Sequence, residues 1–295
     1  MTATGTNRRL AAFVASIVAI CAFGANAAFA LSLKEKVLSG AELKVGIHNQ
    51  VPWGFKTPDG RVAGVHPDMI RAVLEPLGVK KIDFVVVEFG ALIPSLISKR
   101  IDAVASGLAI TPQRCEQVIF SEPDLAIGDG VLVKAGNPLN IHSYEDIAKT
   151  PSIRMAGGRG SSNTENAIKA GISKERVQQF PDVQAGVSAL MAGRIDAITF
   201  STGTAIGILQ DPNIRGIERA MPFTGLLVSG KPVVNYAAIA FRPEDADLRD
   251  LYNEGLAKMK VEGKLKSILA KSGFSDGEIA PDTAKASDLC GSNYR

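Results

Sequence analysis

Thr111-Pro112-Gln113-Arg114 carries the clearest chemical signal in the chain. Thr is a good N-cap and Pro fits the first helical position, so a helix is predicted to start here. Arg114 then lies in the first turn, where the helix dipole disfavours a cation. One reading is an anion site, in which the Arg114 guanidinium fork grips a carboxylate and free amides at the helix start assist. The other is an exposed Arg, or one paired with Glu116 or Glu122. Gln50, Trp53 and Phe89 form a second group. Trp53 is the only Trp and follows a predicted strand end, the edge where ligands bind in open α/β sheets. Alternatively it caps a core, the commoner fate of a lone Trp. The third group is Gly157-Gly158-Arg159-Gly160-Ser161-Ser162-Asn163, a Gly-rich turn opening a helix. Its amides and hydroxyls can meet an anion, with added positive charge from Arg159; otherwise it is a plain surface turn.

Other patterns point away from chemistry. Gly225 to Pro232 nearly spells a phosphate-binding loop, but Pro232 stands where a metal-binding hydroxyl is required and no helix follows. His48, His66 and His142 are scattered without metal-ligand spacing, and no Ser/His/Asp grouping is evident. No cofactor, metal site or catalytic residue is therefore expected. Lys plus Arg exceed Asp plus Glu by three (33 against 30), with no long basic run, which argues against a nucleic-acid partner.

These groups need a scaffold. The length of 295 residues suggests two domains, and 46% apolar with 21% charged residues is ordinary for a globular protein. Strands are predicted at 43–47, 83–87, 101–108, 130–133, 153–156, 177–180, 197–200 and 233–241. Helices are predicted at 66–77, 91–98, 164–170, 183–192, 247–262 and 265–270. Strand–helix alternation implies parallel strands with crossover helices. The segments Leu96-Ile97-Ser98-Lys99-Arg100-Ile101-Asp102-Ala103 and Leu190-Met191-Ala192-Gly193-Arg194-Ile195-Asp196-Ala197 resemble each other, as helix end, basic turn and strand start. This suggests two lobes of similar local topology.

The first thirty residues read as a secretory signal peptide. Arg8 and Arg9 precede an apolar run from Leu10 to Phe23, and Ala28-Phe29-Ala30 offers a cleavage site; a retained anchor helix is the alternative. Cleavage at Ala30 removes Cys21 and leaves Cys115 and Cys290. An even pair in an exported chain favours a disulfide, whose long loop would contribute about 4–5 kcal/mol; two unrelated thiols are the other reading.

The chain resembles the polar amino-acid family (family 3) of ABC-transporter solute-binding proteins from roughly Glu42 to Phe274. The marks are Leu43–Ile47 with its aromatic loop, Phe89-Gly90-Ala91-Leu92-Ile93-Pro94-Ser95-Leu96, Ser106-Gly107-Leu108-Ala109-Ile110-Thr111-Pro112-Gln113-Arg114, and Phe120-Ser121-Glu122-Pro123. Within the family it looks most like the ectoine/hydroxyectoine-binding branch, which shares Thr-Pro-x-Arg-Cys. The resemblance implies an α/β, two-lobed type II periplasmic-binding-protein fold, with two hinge strands and a ligand cleft between the lobes. Lobe one would be residues 31–127 plus 236–295 and lobe two 128–235, with hinge crossings near Gly128–Val131 and Val234–Ala238.

It also implies a ligand site of Gln50, Trp53, Phe89, Gly107, Ala109, Thr111, Arg114, Ser161, Ser162, Asn163 and Ser201. Arg114 would take a carboxylate, the turn at Ser161–Asn163 would meet it from lobe two, and Trp53 and Phe89 would be aromatic faces. Gln50 replaces an acid, Ala109 an aromatic, and Ser201 the Asp that holds an ammonium in α-amino-acid binders. The expected ligand is a small carboxylate-bearing polar metabolite, amino-acid-like or ectoine-like. The expected partners are ABC permease subunits in the inner membrane, for a monomeric periplasmic protein. The alternative is an enzyme on this scaffold, of cyclohexadienyl-dehydratase type. That class needs an acid or base in the cleft, and neutral Gln50 and Ser201 argue against it.

Overall fold

The apolar run Leu43–Ile47 lies at the centre of a five-stranded sheet, because it is flanked on both sides by equally apolar partners. Ile82–Val86 and Ala103–Val104 run parallel to it, and Ala240–Phe241 then returns antiparallel between Ala103–Val104 and the edge strand Ile119–Phe120. A computed structural model supplies this description for residues 31–274 and 276–295. The expected signal peptide and Cys21 lie outside the described residues.

A second five-stranded sheet repeats the plan. Met155–Gly158 is flanked in parallel by Val177–Phe180 and Ala197–Ser201, and Asp129–Lys134 runs antiparallel between Ala197–Ser201 and Ile217–Arg219. In both sheets three parallel strands are followed by one antiparallel strand that enters from the opposite lobe. Helices cover both faces of each sheet, which is why the strands read as continuous apolar runs. Each sheet is packed between two clusters of buried side chains, one pair holding Ile47 and Leu96 and the other Met155 and Ile198.

The paired sequence segments occupy equivalent places. Helices Leu92–Ile97 and Val183–Met191 end in turns whose residues Lys99 (φ 60°) and Gly193 (φ 68°) are left-handed. The following carboxylates then pin the neighbouring strand: Asp102 Oδ2 accepts from the Lys44 amide (3.0 Å) and Asp196 Oδ2 from the Arg154 amide (2.9 Å).

Several expected elements are redrawn. The strand over 101–108 shrinks to Ala103–Val104, since Gly107 turns away at φ 68°. The strand over 233–241 is two strands, Asn235–Ala237 and Ala240–Phe241. The first hinge crossing lies slightly earlier than expected: Leu125–Ile127 pairs antiparallel with Asn235–Ala237, while residues from Asp129 already belong to the second sheet. The phosphate-loop lookalike is a small hairpin, Leu227–Val228 with Lys231–Pro232. Helices Tyr144–Lys149, Thr202–Leu209 and Ala286–Cys290 were not expected. Ser143 and Ser201, which cap the first two, were the available signals. Cys115 and Cys290 form a disulfide.

Candidate ligand-binding site

The carboxyl ends of all six parallel strands face one cavity of about 430 Å³ between the lobes. His48 to Gln50 follow Leu43–Ile47, Phe89 follows Ile82–Val86, and Ser106 and Gly107 follow Ala103–Val104. From the second sheet come Ser161 to Asn163 and Asp182 beyond two strand ends, then Ser201 at the end of the third and Thr204 just past it. This is where open α/β sheets bind ligands, because strand ends and helix starts converge there.

Nine of the expected residues line the cavity: Gln50, Trp53, Phe89, Gly107, Ala109, Ser161, Ser162, Asn163 and Ser201. Thr111 and Arg114 lie just outside its lining. Thr111 caps the helix Pro112–Cys115, its Oγ1 accepting from the Arg114 amide at 3.3 Å. Arg114 reaches across the cleft: Nη1 donates to the Ala109 carbonyl (2.6 Å) and Nη2 to the Gly160 carbonyl of the other lobe (2.7 Å). Its guanidinium carbon sits 5.8 Å from the centre of the Phe89 ring. Burial pulls Arg114 down to about 10, so it stays charged at neutral pH. It pairs with neither Glu116 nor Glu122: its fork bonds the two main-chain carbonyls, and the Glu122 carboxylate accepts from the Ala286 amide.

Trp53 is both packed in the core and at the cavity wall. The side chain is 2% exposed, wedged against His66 and Phe274, yet one part lines the cavity. Its Nε1 donates to Thr204 Oγ1 across the cleft (2.7 Å). Ser201 Oγ in turn bonds Thr204 Oγ1 (2.9 Å) and accepts from the Thr204 amide (3.2 Å), so Ser201 is a helix cap and part of a link between lobes. Thr204→Val is expected to cost about 1–2 kcal/mol of stability, because it leaves a buried indole N–H unpaired. Urea unfolding followed by circular dichroism checks this, and an unchanged midpoint would remove the link. Gln50 is 5% exposed and donates from Nε2 to the Val51 carbonyl (3.0 Å), which leaves its oxygen as the polar atom to offer.

Residues not anticipated complete the site. His48 lines it, with Nδ1 against Ser106 Oγ and its ring edge-on to Phe89 at 5.1 Å. Burial holds its pKa down to about 3, so it is a neutral hydrogen-bonding group. The strand-end rule that picked out Gln50 also applies to His48. Beneath, His66 is fully buried. The Gly107 amide donates to its Nδ1 (2.7 Å), which puts the ring proton on Nε2, facing Asp124 Oδ1 at 3.2 Å. Two of the three histidines that looked scattered, His48 and His66, thus meet at the cavity floor, while His142 lies apart against Pro222 and Asn140; no metal-binding cluster occurs among the described residues.

Asp129 supports the second wall. Its carboxylate accepts from Asn163 Nδ2 (2.6 Å), from Asn166 Nδ2 (3.1 Å) and from the Leu226 amide (3.4 Å). Burial raises its pKa above the ordinary 3.8 despite these donors. The folded form therefore holds the proton more tightly than the unfolded chain. The associated stability is present at low pH and is lost as pH rises through the raised value. Wild type should gain stability relative to Asp129→Asn on acidification towards pH ~4. Urea midpoints measured from neutral to acid pH test this, and parallel curves would contradict it.

Two α/β lobes of matching topology, joined by a pair of hinge strands with a polar cavity at the facing strand ends, define a type II periplasmic binding protein. The chain belongs to the bacterial extracellular solute-binding proteins, family 3, whose model matches residues 43–274. It is an extracytoplasmic solute-binding component of an ABC importer. A probable amino-acid ABC transporter periplasmic-binding protein of Sinorhizobium fredii is 36% identical over 259 residues, covering 87% of this chain and 85% of that one. The L-cystine-binding protein TcyJ of Escherichia coli is 26% identical, covering 81% and 85%. The crystal structure of EhuB in complex with hydroxyectoine superposes with a TM-score of 0.77 at 31% identity, covering 88% of this chain and 97% of that one. An ancestral amino-acid-binding protein described as a precursor of cyclohexadienyl dehydratase gives 0.69 at 26% identity, covering 82% and 99%.

Proposed function

We propose that this protein captures a small carboxylate-bearing solute in the periplasm and presents it, chemically unaltered, to inner-membrane permease subunits. The supporting observation is Arg114. It is a half-buried cation between the lobes, with hydrogen bonds to two main-chain carbonyls and, among the described residues, no ion-pair partner within 4.0 Å. A guanidinium has five N–H donors, so it keeps capacity for a carboxylate. In this reading Arg114 and the capped turn at Ser161–Asn163 take the carboxylate, helped by the starts of helices Ser162–Lys169 and Thr202–Leu209. Phe89 and the exposed part of Trp53 flank the body of the ligand. His48, Gln50 and Ser201 supply neutral polar groups, which favours a ring, a modified amine or hydroxyls over a free α-ammonium.

The lobes would comprise residues 31–127 plus 236–295 and 128–235, released as a monomer after cleavage at Ala30. Native mass spectrometry of the purified protein tests the reading by identifying what co-purifies. A thermal-shift panel of hydroxyectoine, L-arginine, L-glutamine, L-cystine and octopine follows. One ligand per chain, recovered with unchanged mass after prolonged incubation, is the expected result. A converted product would favour the dehydratase alternative.

A further inference from the structure

The helix that carries Arg114, Pro112–Cys115, is a single turn of four residues. Such a turn does not hold itself: the Pro112 carbonyl takes the Glu116 amide (3.2 Å) and the Arg114 carbonyl those of Gln117 and Val118 (each 3.0 Å), which leaves the carbonyls of Cys115 and Glu116 to be met from outside. The segment 286–295 meets those two and adds a second donor at Pro112. Asn293 Nδ2 donates to the Pro112 carbonyl (3.1 Å), and Arg295 Nη2 donates to the carbonyls of Cys115 (3.2 Å) and Glu116 (2.7 Å). A cation at this end also complements the helix dipole. Cys115, the residue next to Arg114, is bonded covalently to Cys290.

The segment is itself anchored. Ala286 and Cys290 are buried in the core beside Leu92 and Leu96, and the Ala286 amide donates to Glu122 Oε2 (3.3 Å). Arg249 donates to the Arg295 carbonyl (3.0 Å) and its guanidinium lies 5.9 Å from the Tyr294 ring centre.

We infer that residues 286–295 form a positioning clamp for Arg114. Cys290, Asn293 and Arg295 fix the one-turn helix in the place from which the Arg114 fork reaches the cleft, and so set the affinity for a carboxylate solute. The inference rests on the reading of Arg114 as carboxylate anchor. Asn293 and Arg295 touch neither the cavity nor Arg114, so they act only through the helix.

The test uses Asn293→Ala/Arg295→Ala, which leaves the disulfide intact, with Cys115→Ser/Cys290→Ser as a second variant. Amide hydrogen exchange of peptides spanning 111–118 should accelerate at least ~10-fold, while peptides of the Leu43–Ile47 strand and of the second sheet stay protected. The probe for binding is the member of the five-solute panel with the largest thermal shift. Its affinity should fall at least ~10-fold, with partial recovery in Asn293→Ala/Arg295→Lys. In an Arg114→Ala background the same clamp substitutions should cost nothing further, because the clamp works through Arg114. Unchanged exchange over 111–118, or a loss of affinity that persists in full without Arg114, overturns the clamp. Faster exchange combined with an Arg114→Ala single variant of normal affinity instead sinks the anchor reading.

Discussion

Arg114→Ala is expected to weaken solute binding by about 2–5 kcal/mol, roughly 30-fold to several thousand-fold, with little loss of fold. The size follows from burial. A carboxylate transferred from water into the cleft must find a charged donor there, and truncating its partner leaves it desolvated and unpaired. Arg114→Ala also removes the bond to the Gly160 carbonyl, one of the contacts between lobes. Arg114→Lys should recover part of the loss. It keeps the charge but presents a point donor in place of a planar fork. Titration calorimetry with the identified solute measures both variants. Equal affinity of wild type and Arg114→Ala would exclude Arg114 from the site.

Gly107→Ala should cost about 3 kcal/mol of stability, and affinity with it. Gly107 has φ 68°, where a side chain costs about 1–2 kcal/mol. An added Cβ would also stand 2.6–3.0 Å from three ring atoms of Trp53. Overpacking of this kind costs about 1–3 kcal/mol when the neighbour cannot yield. The indole is held on three sides, by His66, by Phe274 and by its bond to Thr204. Moving it would reshape the cavity it lines. Urea denaturation and binding on the same variant test this, and near-normal values for both would show that the indole has room to shift.

The α/β plan was legible because strand and helix periods alternate cleanly, and because Asp102-Ala103 and Asp196-Ala197 repeat one local device in both lobes. Arg114 was legible because a cation at a helix start runs against the dipole. The structure adds that this helix is one turn long, so the conflict is small, and that Arg295 at the far end acts with the dipole. Other features had no local signature. His66 lies on the apolar face of helix Val65–Leu74 and meets Asp124 from a loop 58 residues on. Asp129 gains meaning only from Asn163 and Asn166, which reach it from another element. Thr204 follows a strand end by three residues and is defined by an indole 151 residues earlier. Pairings of this kind are set by tertiary contact, which neither spacing nor composition encodes.

The bond from Trp53 to Thr204 also has a practical side. The protein contains a single tryptophan, and the nitrogen of that ring is tied to the opposite lobe. Separation of the lobes would break the bond and wet the indole, changing its emission colour and intensity. Light absorbed by indole alone would therefore follow opening and closing in the unlabelled molecule, one chromophore reporting one motion.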